Sequence, residues 1–573
     1  MDKSNVQIET VAEAYLAMLG ERGVEYLFAN AGTDFPPIIE ALARCPALGV
    51  DTPKALAIPH ENLAVAMAYG YTLVSGRPQA VMLHVNVGTA NGLCGIINAS
   101  RGRIPMLFTS GRTPINETGI HGSRSIFIHW PQEMFDQAGM VREHVKWDYE
   151  LRNGDQLATV VDRALNIAVA EPQGPVYLTL PREVLAAPLS DGFERDRPQR
   201  RKPPVPPHPD ADAIIRAAQL IAAAENPLII TTELGRNADA VALLSSLADR
   251  FSIPVVSYRP RYVNLASDHP MHAGGEPGPY LGQADVVVII EADVPWIPSL
   301  EAPNDDATII QIGIDPHYSR YPIRGFPCDL GITGEPSAAV RLLGEALEPE
   351  RDAMKGAIES RRQAMAEVHA RRDRENAESL ANSKEQTPIS PVWLAACVDA
   401  VKGDQAVVVN ELGLASQYLT ITEPGGYYAT PGAGGLGWAL GAALGIKLAD
   451  PDKLVIAAVG DGAYMFGNPT PAHFVSRSLG LPVLFIVANN STWGAVRRAT
   501  REMYPEGHGV QADPMPLTDL TPSPDFEKVV EASGGYGEKV EDPAALPGAL
   551  ERAMHAVQVE GRQAVLNVIC RGP

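Results

Sequence analysis

Short apolar runs alternate with amphipathic helical stretches along almost the whole chain. Such runs include AVMLHV at 80–85, VVVII at 286–290 and LVIAAV at 454–459. Continuous apolar runs are typical of strands buried on both faces, as in parallel sheets covered by helices. The pattern therefore predicts an α/β fold built from doubly wound, mostly parallel sheets, with ligand sites at the carboxyl ends of the strands.

Two segments of unusual composition divide the 573-residue chain. The Pro-rich stretch at 196–213 disfavours helix and predicts an extended strap. The highly charged stretch from Glu348 to Lys384 predicts a surface helix followed by a tether. Each remaining piece has the size of an ordinary domain. We therefore expect three such domains, at 1–190, 210–345 and 390–573.

Charge and cysteine usage exclude several classes of protein. The chain carries 47 Lys and Arg against 68 Asp and Glu, a formal net charge of −21, and such an acidic surface repels nucleic acid. The five cysteines are widely spaced without a CxxC pair, which fits neither a disulfide framework nor a zinc site and favours a reducing, cytoplasmic compartment. We recognise no secretion signal, and no uncharged apolar stretch of about 18 residues predicts a membrane span.

The most specific motif is Gly460-Asp461-Gly462, which follows the run LVIAAV. Asn490 ends the next apolar run, 29 residues after Asp461, and a right-handed crossover of that length places both residues at one sheet edge. A carboxylate and an amide oxygen there form part of a Mg²⁺ site that phosphate oxygens and water complete. Gly460 and Gly462 let the backbone approach a diphosphate. The alternative is an ordinary strand, turn and helix with a capping Asp.

The motif and its surroundings resemble a known family. GDG followed by NN, with PGAGGLGWALGAALGIKLADPDKLVIAAVGDG leading into it, is similar to the thiamine-diphosphate motif of the acetolactate synthase and benzoylformate decarboxylase family of 2-oxo acid decarboxylases. The resemblance implies a pyrimidine-binding, a central and a diphosphate-binding domain. It also implies that Asp461, Asn490 and the backbone carbonyl of Thr492 bind Mg²⁺. The resemblance also implies that Gly460, Gly462, Ala463 and Leu436 contact the coenzyme. Leu436 would support the bent conformation of the coenzyme.

Glu61 and His84 are the first two positions that the same resemblance singles out in the N-terminal domain. Glu61 follows the apolar run KALAI at the start of a helix, where the family has the glutamate that hydrogen-bonds the pyrimidine ring. His84 lies in an LH…GT.N pattern, where the benzoylformate decarboxylase branch has a histidine facing the substrate. From the residue pattern alone, the alternatives are a first-turn carboxylate for Glu61 and a core histidine for His84, and the pattern by itself favours both alternatives.

Two further positions come from the same comparison. Thr33, in FANAGTDF, lies where that branch has a serine that contacts the substrate. Gln132, in the loop HGSRSIFIHWPQEMFDQAG, is the nearest candidate for an active-site glutamine of the acetolactate synthase branch. His121 and His129 share this loop, and proton relays or solvated surface groups are the alternatives for them.

The implied function is the cleavage or formation of a carbon–carbon bond in a 2-oxo acid or related carbonyl substrate, with thiamine diphosphate and Mg²⁺. We expect decarboxylation followed by carboligation, as in acetolactate synthase. The open alternatives are a simple decarboxylase of the benzoylformate type, a flavin-dependent oxidase and a non-catalytic paralogue. FAD is not expected, because VPWIP replaces the arginine-and-acid pattern of flavin-binding members and the central domain has no GxGxxG. The family also implies a homodimer or homotetramer with active sites between subunits.

Overall fold

The computed structural model describes residues 8–190, 193 and 202–572. Its named strands form three sheets, and every pairing within these sheets is parallel. Helices connect the strands. The predicted α/β class with parallel sheets is thus confirmed.

The first sheet is six-stranded, and its strands follow the order β2-β1-β3-β4-β6-β5. The strands are β1 (Tyr26–Ala29), β2 (Lys54–Ala57), β3 (Gln79–Leu83), β4 (Met106–Arg112), β5 (Asp148–Glu150) and β6 (Pro175–Pro181). The helices are α1 (Val11–Glu21), α2 (Pro36–Ala47), α3 (Glu61–Ser75), α4 (Val85–Arg101), α5 (Leu157–Val169) and α6 (Arg182–Ala186).

The second sheet has five strands in the order β11-β10-β9-β7-β8. The strands are β7 (Pro227–Thr231), β8 (Val255–Ser257), β9 (Val286–Ile290), β10 (Thr308–Gly313) and β11 (Leu330–Thr333). The helices are α7 (Ala211–Ala223), α8 (Ala238–Phe251), α9 (Gly278–Leu281), α10 (Pro336–Leu347) and α11 (Lys355–Ser383).

The third sheet is again six-stranded, in the order β13-β12-β14-β15-β17-β16. The strands are β12 (Val407–Glu411), β13 (Tyr427–Ala429), β14 (Val455–Gly460), β15 (Leu484–Asn489), β16 (Tyr536–Val540) and β17 (Ala564–Ile569). The helices are α12 (Pro391–Lys402), α13 (Trp438–Ala449), α14 (Asp461–Phe466), α15 (Pro469–Leu479), α16 (Gly494–Met503), α17 (His508–Gln511), α18 (Phe526–Glu531) and α19 (Leu546–Gln558).

The charged stretch after α10 differs from its prediction. It forms the single 29-residue helix α11, which continues to Ser383, so the expected tether is wrong. Arg361 of α11 is buried and donates hydrogen bonds to the carbonyls of Phe251 (2.9 Å) and Ser252 (3.1 Å). These carbonyls lie at the end of α8, where no further helical turn can satisfy them. The guanidinium caps α8 and fastens α11 to the second sheet's core.

Helices α3 and α13 pack with their backbones nearly in contact. A Cβ added to Gly70 would lie 2.0 Å from the carbonyl oxygen of Ala442, and one added to Gly445 would lie 2.0 Å from that of Met67. Only glycine fits at such a contact, because the neighbour on the other side is rigid backbone. By its contacts, α13 therefore belongs to the same compact unit as the first sheet, which also includes residues 463–483.

The second compact unit contains the second and third sheets. Among residues 8–190 and 202–572, no helix combines the length and the apolarity needed to cross a membrane. None of the five cysteines, all of which lie within the described residues, forms a disulfide.

Candidate active site

Glu61 begins α3 directly after the extended residue His60. Its Oε2 accepts a hydrogen bond of 2.5 Å from the side-chain amide of Asn91 on α4. Helices α3 and α4 approach closely here, since a Cβ added to Gly95 would lie 2.8 Å from Oδ1 of Asn62. The carboxyl group is thus held from the neighbouring helix through Oε2.

His84 directly follows β3 and is the N-cap residue of α4. Its Nδ1 lies 2.6 Å from Oδ1 of Asp34, which is 3% exposed. The two residues follow neighbouring strands, β1 and β3, so the parallel sheet brings them to the same edge. A buried carboxylate and an imidazole thus form a pair in the first sheet.

Two glycines make room for this pair. A Cβ added to Gly32 would lie 2.1 Å from Nδ1 of His84, and one added to Gly111 would lie 1.8 Å from Oδ2 of Asp34. Any larger residue would displace the ring or the carboxylate. The next residue, Val85, has a φ of 32°, which is strained for a β-branched side chain. The strained Val85 N–H donates to Oδ2 of Asp34 at 3.3 Å.

The other ring nitrogen of His84 faces the loop that carries Gln132. Nε2 of Gln132 lies 3.2 Å from Nε2 of His84. The adjacent Glu133 anchors this loop, because its two oxygens accept hydrogen bonds from Arg112 (2.7 Å) and Arg124 (2.6 Å). The predicted candidates His84 and Gln132 are therefore in direct contact.

Thr33 is exposed, and its carbonyl accepts a hydrogen bond of 3.1 Å from Arg182. The same guanidinium donates to the carbonyls of Gly122 (2.9 Å) and Ser123 (2.8 Å). Burial lowers the pKa of Arg182 from its ordinary value. Arg182 thus joins the Thr33 turn to the loop that carries Gln132.

The two histidines of this loop differ in environment. His129 is 2% exposed, and its Nδ1 accepts a hydrogen bond of 3.2 Å from the Ser125 N–H. Burial, together with the positive charges of Arg182 and Arg124, lowers the pKa of His129. His121 is exposed. A neutral, internally bonded His129 is therefore part of the loop's framework.

Asp461 follows β14 in the third sheet and is 3% exposed. Its Oδ1 accepts the Gly462 N–H at 2.8 Å, while Oδ2 is buried with no hydrogen-bond partner among the described residues. Burial raises the pKa of this carboxyl, although the amides of residues 490–492 favour its charged form. A buried carboxylate oxygen without a partner suits a cation, because a cation offsets the cost of desolvation.

The loop after β15 supplies the other oxygens expected at this edge. Oδ1 of Asn490 accepts from the backbone N–H (2.9 Å) and the hydroxyl (2.8 Å) of Thr492. The Thr492 carbonyl accepts from the Gly494 N–H at 2.9 Å. Asn489, the first residue of the pair, is instead structural, because its amide donates to Asn567 at 3.0 Å. Hard oxygens of the kind that Mg²⁺ prefers thus come from the loops after two neighbouring strands.

The remaining predicted positions are Gly460 and Gly462 of the GDG motif, Ala463 directly after it, and Leu436 upstream of it. Gly462 touches the Trp493 ring, since an added Cβ would lie 2.1 Å from it. Gly460 and Leu436 are partly buried, and Ala463 is 3% exposed. The compact unit of the first sheet contains Glu61, His84, Thr33, Gln132, Leu436 and Ala463. The other unit contains Gly460, Asp461, Gly462, Asn490 and Thr492.

Three residues that organise this site were not predicted from the sequence: Asp34, Asn91 as the partner of Glu61, and Arg182. Asp34 does leave a signal, because an acidic residue in the loop that follows a predicted strand lies where α/β sheets bind ligands. Asn91 belongs to the quoted GT.N pattern, but its partner lies 30 residues away. Arg182 has no local signal, since its partners are backbone carbonyls.

Comparison with known proteins agrees with this architecture. Models of the thiamine pyrophosphate enzymes match residues 9–140 (N-terminal TPP binding domain), 214–343 (central domain) and 411–568 (C-terminal TPP binding domain).

Three curated relatives are similar over most of their length. Benzoylformate decarboxylase of Pseudomonas aeruginosa is 26% identical over 506 residues, covering 86% of this chain and 88% of the relative. The acetolactate synthase large subunit of Mycobacterium tuberculosis is 27% identical over 515 residues, covering 89% and 87%. The 2-hydroxyacyl-CoA lyase of Arabidopsis thaliana is 26% identical over 573 residues, covering 96% and 94%.

Solved structures share the fold. The thiamine diphosphate-dependent 4-hydroxybenzoylformate decarboxylase of Rhodococcus jostii RHA1 superposes with a TM-score of 0.78 at 22% identity, covering 98% of this chain and 99% of that chain. Benzoylformate decarboxylase of Polynucleobacter necessarius gives 0.77 at 20% identity, covering 98% and 99%. With the N-terminal, central and C-terminal domains all present in order, this chain belongs to the thiamine pyrophosphate enzyme family.

Proposed function

We propose that this protein uses thiamine diphosphate and Mg²⁺ to remove CO₂ from a 2-oxo acid, and that His84 protonates the carbon left behind. The observation that carries this proposal is the contact of His84 with the buried Asp34 at the edge of the first sheet. Helix α4 connects His84 to Asn91, the partner of Glu61, seven residues further on. Seven residues are two helical turns, or about 10 Å along one face, so one helix sets the spacing of both groups.

Five of the other predicted residues would bind the coenzyme. When bound, thiamine diphosphate supplies the electron sink that allows a carboxylate to leave from a carbonyl carbon. Glu61 would hold and exchange a proton at the pyrimidine N1′ through the oxygen that Asn91 leaves open. Gly460, Gly462 and Ala463 would border the diphosphate, and Leu436 would support the bent coenzyme. The domain bounds that we propose for these roles are 1–190, 210–345 and 390–573.

The donor set after β14 and β15 fits Mg²⁺. Asp461 would offer Oδ2, the oxygen that lacks a partner, and Asn490 and Thr492 would offer an amide and a backbone oxygen. Neutral oxygens and one carboxylate suit a cation that also binds diphosphate. We therefore assign these three residues to the metal.

Carboligation is the second candidate outcome. It is favoured by Gln132, whose amide lies against His84 and could orient the carbonyl oxygen of an acceptor 2-oxo acid. In this outcome the carbon left after CO₂ loss attacks the acceptor, as in acetolactate synthase. The two outcomes differ in product: an aldehyde in the first and a hydroxy keto acid in the second.

The central domain does not favour a flavin. The recess at the carboxyl ends of β9 and β10 is lined by Glu291, Gln311 and Asp315, among others. The carboxylates of Glu291 and Asp315 would repel a nucleotide's phosphates. We therefore propose that this domain serves structure and substrate enclosure instead of redox chemistry.

Exposed apolar side chains favour assembly of two or more copies. In the loop that carries Gln132, Phe127 is 83% exposed and Phe135 is fully exposed. In the second compact unit, Leu412 is 66% and Leu517 is 94% exposed. Apolar groups at such exposure commonly mark interfaces. We propose a homodimer or homotetramer that covers them, which light scattering of the purified protein would test.

The function is tested by incubating the protein with thiamine diphosphate, Mg²⁺ and a panel of 2-oxo acids that includes pyruvate, 2-oxobutyrate and benzoylformate. We expect CO₂ release that requires both cofactors, and an aldehyde carrying deuterium at its carbonyl carbon when the solvent is D₂O. A hydroxy keto acid would instead establish carboligation. No CO₂ from any acid, together with no exchange of the coenzyme's C2 proton, would support the non-catalytic alternative.

A further inference from the structure

We propose that Asp34 is a positioning residue that holds His84 in one tautomer, with a proton on Nδ1 and with Nε2 as the atom that exchanges protons with the substrate. This inference rests on the proposed function. Oδ1 of Asp34 lies 2.6 Å from Nδ1 of His84. An ionised carboxylate can only accept hydrogen bonds, so Nδ1 must be the donor in this pair.

Gln132 agrees with this assignment from the opposite side of the ring. Its Nε2 amide group, a donor, lies 3.2 Å from Nε2 of His84. A donor at that place requires a lone pair on Nε2, which a neutral ring provides when the proton is on Nδ1. Asp34 thus specifies the tautomer, and the amide of Gln132 is compatible with it.

Gln132 can also follow a change in protonation. Its Oε1 is buried and has no hydrogen-bond partner among the described residues. When Nε2 of His84 carries a proton, a half-turn of the amide brings this oxygen round to accept it. The ring is therefore held in both of its protonation states, while Asp34 keeps its own hydrogen bond unchanged.

The Asp34 carboxylate performs two tasks at once. Oδ1 binds the ring, and Oδ2 accepts the N–H of Val85, the strained residue that follows His84. The Val85 carbonyl is held as well, by the Thr89 hydroxyl at 2.7 Å. Ring and backbone are thus fixed by one buried group, which argues for orientation as its purpose.

The proton transfer balances without a further reactant. The protonated ring gives the Nε2 proton to the carbon that has lost CO₂, a C–H bond forms there, and the N–H electron pair remains on Nε2. The ring is then neutral, and its remaining proton, on Nδ1, is hydrogen-bonded to Asp34. Water returns a proton to Nε2 before the next turnover.

Asp34→Asn tests the tautomer directly. The amide keeps an oxygen for the Val85 N–H but turns an N–H₂ donor toward Nδ1, which forces the proton of the neutral ring onto Nε2. We expect ¹⁵N NMR of histidine-labelled protein to show His84 Nε2 changing from a pyridine-like to a pyrrole-like nitrogen. His84→Gln identifies the resonance by its loss, and Asp155→Asn, an exposed change on the same domain, should leave it in place. An unchanged His84 tautomer in Asp34→Asn would overturn the proposal.

Kinetics provide the second arm. Asp34→Asn should lower kcat by about 10²–10⁴-fold with little change in KM, and it should leave exchange of the coenzyme's C2 proton intact. In the double variant Asp34→Asn/His84→Gln the loss should equal that of His84→Gln alone, because Asp34 acts through the ring. Losses that multiply would show that Asp34 acts independently and would refute positioning.

Gly32→Ala covers the case in which Asp34→Asn does not fold. Its Cβ would meet Nδ1 of His84 at 2.1 Å, so the ring must leave the carboxylate while Asp34 stays charged. The same NMR signature and the same selective loss of kcat are expected. If the wild-type protein releases no CO₂ from any acid, the proposed function fails, and the nitrogen spectrum still decides the role of Asp34.

Discussion

The side-chain amide of Asn91 donates a 2.5 Å hydrogen bond to Oε2 of Glu61. The contact joins the first residue of α3 to the second turn of α4. It fixes the direction of the carboxyl group, and in the proposed function Oε1 would bind the coenzyme's pyrimidine. The structure thus holds Glu61 in the one orientation on which its proposed role depends.

Glu61→Gln should abolish proton handling without abolishing coenzyme binding. The amide preserves the size of the side chain and a hydrogen bond to Asn91, but it cannot exchange a proton with the pyrimidine. We expect the rate of C2-proton exchange, measured by ¹H NMR after quenching from D₂O, to fall by at least about 100-fold. The exposed Glu40→Gln is the matched control. An unchanged rate of C2-proton exchange in Glu61→Gln would contradict the role proposed for Glu61.

Asp461→Asn should separate metal binding from folding. Burial raises the pKa of Asp461, so the ionised carboxyl group destabilises the folded protein at pH values above that raised pKa. This destabilisation decreases as the pH falls from the raised pKa to the ordinary one. The amide removes this cost, and the metal-free variant should melt no lower than the wild type. Mg²⁺ with thiamine diphosphate at 100 times the dissociation constant should stabilise the wild type by about 2.7 kcal/mol and the variant hardly at all. Calorimetry checks both, with Asp404→Asn as a surface control; an equal ligand shift in all three proteins contradicts the metal site.

Gly445→Ala should destabilise the protein through a single methyl group. Its Cβ would lie 2.0 Å from the carbonyl oxygen of Met67, so α3 and α13 must separate. Overpacking of this kind costs about 1–3 kcal/mol, which should lower the thermal midpoint. Gly356→Ala, in α11, meets nothing within 4 Å and should be neutral or stabilising by up to about 1 kcal/mol. Equal midpoints for the two variants would disprove the close contact.

His272 should make stability depend on pH. Its Nδ1 accepts the Gly274 N–H at 3.3 Å, and burial with the nearby Arg372 lowers its pKa to about 4. At pH values between about 6.5, the ordinary histidine pKa, and about 4, His272 is protonated in the unfolded chain but not in the folded chain. The free energy of unfolding should therefore fall as the pH falls through this window, by about 3 kcal/mol at most.

Thermal midpoints at about pH 7.5 and about pH 4.5 would measure this effect. His272→Gln should flatten the dependence, whereas the exposed His317→Gln should not. The same slope in both variants would assign the acid sensitivity to other groups.

The buried strands could be predicted from the sequence, whereas four edge strands could not. No apolar run marks β5, β11, β13 or β16, and each lies at the edge of its sheet. An edge strand has one neighbour and meets solvent, so its residues need not be apolar: β16 reads YGEKV, with one buried position among its five. The interior strands, such as β9, are buried throughout.

The site shows the same limit for a different reason. Motif spacing placed Asp461 and Asn490 at one edge, because a crossover has a predictable length. The partner of His84 depends on how two loops meet around Gly32 and Gly111, and no local pattern encodes such a contact. The error at α11 is similar, since Arg361 anchors that helix to carbonyls more than a hundred residues away.

The packing of α13 against α3 constrains the order of events during synthesis. Residues 62–72 of α3 are all buried, yet the helix that completes their cover begins at Trp438. At about 5–20 residues per second, the ribosome needs on the order of 10–45 s to pass from the end of the N-terminal segment to α13. Throughout that interval α3 presents an uncovered apolar surface to the cell, so the nascent chain is a natural client for chaperones, and any truncation before Trp438 leaves the N-terminal fold incomplete.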